Sequence, residues 1–156
     1  MVTAPRTTSA PVPFAALELL GRSDAELVAA QLAPHPADQF LHAHLSALRA
    51  AAAVLQVTGR PVRRPAPRTV WDMVALVAPA LAEWTAFFAS GAAARSAVEA
   101  GRADAVDAVR AERTLAAAED FQDAVRSLLD VLSDGEDWAG EGRSGRAVPS
   151  LALRAS

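Results

Sequence analysis

Between Pro36 and Gly59 the apolar residues Leu41, Leu45, Leu48, Ala52 and Leu55 recur at intervals of four, three, four and three. Those intervals draw one continuous stripe along a helix; a strand, whose side chains alternate between faces, cannot use them. Pro36 suits a first helical turn and Gly59 a helix end, so the segment predicts a helix over 36–58. A helix this long needs a second apolar surface on which to bury its stripe, and the chain must build helix on helix. Composition agrees. Ala, Leu, Glu and Arg are abundant, Ile and Tyr are absent, and Val and Thr are the only β-branched residues.

The remaining segments carry the same period. A helix is expected over 14–32, where Gly21-Arg22-Ser23 offers a break: Ser23 can cap a new turn, with Glu26 at the capping-box position. Thr69 begins another, with Asp72 three residues on. Pro79 kinks or divides it, and 80–100 continue helical to Gly101. A last helix over 104–133 buries Leu115, Ala118, Phe121, Val125, Leu128 and Leu132, and Gly135 follows its end. Residues 1–13 read as a disordered lead and 135–156 as a flexible tail in which Trp138 can dock back. The folded domain is 14–134, within the size of one core. The expected fold is all-α, an up-and-down bundle of four to five helices.

Several chemistries are excluded. The chain has no cysteine, hence no disulfide, thiolate nucleophile or Cys-based metal site. All 15 basic residues are Arg, and Lys, Asn and Ile are missing. This is the imprint of a GC-rich genome, so Arg-specific chemistry does not follow from Arg alone. There is no Gly-rich phosphate loop, nucleophile elbow or zinc motif, and no cofactor or metal is expected. The N-terminus lacks a secretory signal's apolar region, and Glu83, Arg95 and Glu99 interrupt the longest apolar run. No membrane span and a cytoplasmic location are expected.

Four features carry candidate chemistry. His44 borders the stripe of 36–58. It is either a hydrogen-bonded histidine at a helix boundary or a general acid/base or phosphate contact in a cleft. His42, two positions before it, points elsewhere, and the pair cannot hold one metal from a single helix. The loop 59–68 holds Arg60, Arg63, Arg64 and Arg68 with no acid, a local +4 in a chain of net −3; it reads as a phosphate-binding strip or as a solvated connector. Residues 99–134 hold nine acids against four Arg, a net −5. Trp71, Trp84, Phe87 and Phe88 form either a core or an oligomer seam.

The runs AHLSALRAAAAVL at 43–55 and VWDMVALVAPALAEWTAFF at 70–88, with AEDF at 118–121, resemble the actinobacterial branch of the HEPN family (higher eukaryotes and prokaryotes nucleotide-binding domains). The similar stretch covers about 38–128. The resemblance implies a helical bundle, often dimeric, acting as an RNase or as a non-catalytic RNA- or nucleotide-associated module. Catalytic members carry Arg-x(4–6)-His. Here Gln39 and His44 keep the x4 spacing with a neutral amide in place of the cation, and no Arg stands at the required distance before His35, His42 or His44. Gln cannot stabilise charge building on a transferred phosphate as Arg does. The expectation is therefore a non-catalytic binding or regulatory module, a homodimer that engages RNA, a nucleotide or a protein partner. The alternatives are a ribonuclease using His44 and Gln39, and a purely structural interaction module docking through the aromatic cluster.

Overall fold

The computed structural model describes residues 11–62, 65 and 69–141. The helices are α1 (Phe14–Leu32), α2 (Pro36–Thr58), α3 (Val70–Val77), α4 (Ala82–Ser90), α5 (Ala92–Glu99) and α6 (Ala108–Glu141). Short 3₁₀ turns lie at Pro79–Leu81 and Ala103–Ala105, and no strand occurs among the described residues. The fold is the expected all-α bundle. The expected lead falls mostly on residues 1–10 and the end of the tail on 142–156, outside the described residues, as do Arg63, Arg64 and Arg68. Trp138 lies within α6, and its side chain is outside the described ones.

Local chemistry sets the boundaries. The three residues 33–35 fold α2 back along α1. Thr69 Oγ1 accepts the Asp72 N–H at 3.1 Å and caps α3. Pro79 divides the next stretch, as its missing donor requires. A further division falls at Gly91. After α5, Gly101 takes a φ of 92°, and the bonds Gly101 N–H to Val98 O and Arg102 N–H to Ala97 O, both 2.9 Å, complete a Schellman turn.

Three expectations are corrected. First, α1 runs unbroken through Gly21-Arg22-Ser23. Ser23 caps nothing; it is buried against α2, where its Oγ donates to the Ser46 carbonyl and the Ser46 Oγ donates to the Ser23 carbonyl, each at 2.9 Å. Gln122 of α6 adds a 3.0 Å bond to Ser23 Oγ. These small residues satisfy one another where three helices meet, a tertiary demand that overrode a local capping signal. Second, α6 begins at Ala108 rather than 104 and passes through Gly135 to Glu141. Its buried seam is Ala111, Thr114, Ala118, Phe121, Val125 and Leu129, whereas Leu115 and Leu128 flank it half-buried and Leu132 is exposed.

Third, the leucine stripe of α2 is not its most buried face. Leu41, Leu45, Leu48, Ala52 and Leu55 are half-buried, while Phe40, Ala43, His44, Ala47, Ala50, Ala51 and Val54 are buried. The reason is that α2 is central and packs against α1, α3, α5 and α6. Alanine faces let neighbouring backbones approach, and the leucines fill the gaps at the edges. By length and composition the 23-residue α2 also has what a membrane span needs, an 18-residue window with a mean hydropathy of 1.2; in this bundle half of that window is buried inside the protein.

Candidate functional site

A cavity of about 310 Å³ opens between α2, α4 and the start of α6. Phe40 and His44 of α2, Phe87, Phe88 and Ser90 of α4, and Gly91 line one side. Asp107, Val109, Arg110, Arg113 and Thr114 line the other. Apolar rings with a few convergent polar groups are the usual make-up of a small-molecule site.

His44 is placed by its helix register on the buried face of α2, with 1 % of its surface exposed. Its ring lies 5.8 Å from Phe40, 5.8 Å from Trp71 and 5.9 Å from Phe88, centroid to centroid. Nε2 stands 3.0 Å from the Phe88 carbonyl oxygen. A carbonyl only accepts, so Nε2 carries the proton and Nδ1 keeps its lone pair. Nδ1 is buried and has no partner among the described residues. Burial holds the His44 pKa below its ordinary 6.5. The Phe88 bond opposes this, Arg95 adds to the lowering, and Glu99 opposes it. The side chain is thus a neutral imidazole. Gly91 packs closely on the ring: a Cβ there would stand 3.3 Å from His44 Cδ2 and from the Phe88 carbonyl oxygen, a tight contact.

The opposite wall is the first turn of α6, whose leading N–H groups have no helical acceptor and whose dipole favours an anion. Asp107 Oδ1 takes the Arg110 N–H at 2.8 Å. Arg110 lies over the Phe40 ring, 5.7 Å from its centroid, which fixes the guanidinium at the cavity edge. Among the described residues neither Arg110 nor Arg113 forms an ion pair. Two guanidinium groups against one carboxylate leave the wall cationic.

The other predicted residues lie elsewhere. Gln39 is half-buried and does not line the cavity; five residues from His44, it points about 140° away around α2. Arg60 is exposed beyond the end of α2. His42 Nδ1 donates to Glu26 Oε2 at 2.7 Å, and Arg49 approaches the same carboxylate at 3.6 Å, on the α1–α2 surface. Trp71 and Phe88 are buried and stacked at 5.3 Å. Trp84 is half-buried against Phe121, and Phe87 against Phe88. The group is core, with Phe87 and Phe88 also walling the cavity. Among the described residues no cluster of His, Cys, Asp or Glu is arranged to hold a metal.

A helix starting at 104 makes Asp107 one more surface acid and leaves Arg110, Arg113 and Thr114 without a site; α6 instead starts at Ala108, with Asp107 bonded to the Arg110 N–H at its head. The signal was Asp107 followed three residues on by Arg110, a cap and a cation brought to one helix end.

Fold and cavity together define a helical-bundle domain with a cationic, aromatic-walled recess. The chain belongs to the HEPN family: the family model described as HEPN_SAV_6107-like HEPN matches residues 30–126, which include α2 to α5 and the first half of α6. No curated protein and no solved structure matches the chain.

Proposed function

We propose that this chain is a non-catalytic HEPN module that binds the phosphate-bearing end of a nucleotide or an RNA strand in the recess at the start of α6. One observation carries the reading: Arg110 and Arg113, unpaired among the described residues, stand with a helix N-terminus on one wall while aromatic rings form the other. Guanidinium groups and free N–H donors suit phosphate oxygens; Phe40 and Phe87 suit a base or sugar face. The volume, about 310 Å³, is that of a mononucleotide-sized ligand rather than a polymer channel.

The test is titration of the pure protein with mononucleotides and with short labelled single-stranded RNA across a salt series. The double variant Arg110→Glu/Arg113→Glu is expected to weaken binding at least about tenfold and to flatten the salt slope, while Arg22→Glu on the far side leaves both unchanged. Saturable binding that survives the double variant would defeat the proposal, as would no binding at low salt.

A second reading has its own support. His44, Arg110 and Arg113 line one cavity, so the cation missing before His44 in sequence is supplied in space. As a ribonuclease the protein would cut single-stranded RNA and lose that activity in His44→Ala and in Arg110→Glu/Arg113→Glu when each is assayed well below its own melting temperature. The buried ring, held by the Phe88 carbonyl, favours the binding role.

A further inference from the structure

The outer face of α1 is apolar, although the opposite face of the same helix already forms core. Phe14, Leu17, Gly21, Ala25, Val28 and Leu32 are exposed and lie in one line along the helix. Phe14, Leu17, Val28 and Leu32 are each more than half exposed. A helix apolar on two opposite faces belongs between two layers, not at a surface. Where α1 meets α6, a groove of about 150 Å³ adjoins this face, lined by Leu17, Leu20, Leu129 and Asp130 among others.

The course of α6 delivers the chain's last residues to this face. The two helices run antiparallel: Gln31 bonds Glu119, Asp24 bonds Arg126, and Leu17 shares the groove with Asp130. The same advance brings α6 level with Phe14 near Asp134, so its end at Glu141 lies roughly 10 Å beyond the start of α1. The 15 residues 142–156 follow. Extended, they reach up to about 50 Å, and the α1 face is only about 27 Å long. The segment 142–146, GRSGR, has two glycines for a reversal, and 147–153, AVPSLAL, is apolar.

Charge and area select this segment as the occupant. From Ser127 to Glu141 the sequence has five acids and no base, and α1 carries Glu18, Asp24 and Glu26 against Arg22. Residues 142–156 carry Arg143, Arg146 and Arg154 and no acid, whereas residues 1–10 have one Arg and no leucine. A basic segment bearing leucines suits an apolar face with acidic surroundings. The exposed apolar surface of the face is on the order of 400–500 Å², against roughly 800 Å² per partner in a standard interface between two proteins. A tethered segment needs less, because its attachment holds it at an effective concentration on the order of millimolar.

We infer that residues 147–153 fold back onto the outer face of α1 of their own chain. An extended segment advances about 3.3 Å per residue and a helix about 1.5 Å. With Val148 over Phe14, Leu151 then falls over Gly21 and Leu153 over Ala25. The small residues leave room there: a Cβ built on Gly21 meets no atom within 4 Å.

The chain has no cysteine, so a cysteine pair in the full chain tests the contact. Under mild oxidation at low micromolar concentration, Ala25→Cys/Leu153→Cys is expected to close an intrachain disulfide. The rate should exceed that of the same pair carrying Leu151→Asp at least about tenfold. It should also be independent of protein concentration, with the far-UV spectrum unchanged in both proteins. Equal rates with and without Leu151→Asp overturn the inference, whether the face is then covered by residues 1–10 or left for another protein. Disulfides that form mainly between chains also overturn it, in favour of a second copy on this face.

Discussion

His44 shows how burial converts a titratable residue into a fixed acceptor. The ring is enclosed by Phe40, Trp71 and Phe88 and bonded to a carbonyl. His44→Ala leaves a hole and removes one of two bonds to the Phe88 carbonyl, which keeps the Gly91 N–H at 3.0 Å, and is expected to cost about 2–4 kcal/mol, lowering Tm by roughly 5–15 °C; His42→Ala, whose ring is 40 % exposed, should change Tm far less. The pH dependence has a definite sign. The folded pKa lies below 6.5, so the unfolded chain takes up a proton first as pH falls. The stability from this site is complete above pH 6.5 and is lost as the pH drops from there toward the folded pKa. Arg95 and Glu99 act on the ring in opposite directions, so comparing wild type with His44→Gln by thermal melts isolates the imidazole. Equal pH dependence in the two proteins would show that His44 does not titrate in this way.

At the level of the helices, boundaries set by local chemistry were legible in the sequence. Pro36, Gly59, Thr69 and Pro79 each act through a backbone donor or dihedral next to them, and α2 and the start of α3 fall where those residues predict. What depends on distant partners was not legible. Ser23 is a capping residue by type and a helix-contact residue by position, because Ser46 and Gln122 meet it there. Spacing and size mark the α2 leucines as the core face, whereas the central helix buries its alanines deepest. The same limit hid the recess: His44 was a candidate, but Arg110 and Arg113 join it only through the fold. Asp107 couples helix and recess. Asp107→Ala removes the side-chain acceptor of the Arg110 N–H and is expected to cost about 1 kcal/mol by chemical denaturation. Asp107→Asn keeps an acceptor while deleting the negative charge, and should bind a nucleotide phosphate more tightly at low salt with little change in stability. Unaltered binding in Asp107→Asn would separate this wall from the ligand.

For the molecule as a whole, charge is divided between a net −3 chain and a cationic recess. The acidic surface of 99–134 is poorly suited to non-specific contact with polyanions, so phosphate recognition depends on the recess rather than on a broad basic face. Among the described residues half of the buried apolar ones are alanine, most of all on α2. An alanine has no rotamers to freeze on burial and removes little apolar area from water. The core is therefore assembled at small side-chain entropy cost and with a small gain from dehydration. Because apolar hydration dominates the heat capacity of unfolding, that heat capacity should be low for the chain's length. The curve of stability against temperature is then broad and shallow, and the bundle loses stability slowly on heating and on cooling alike.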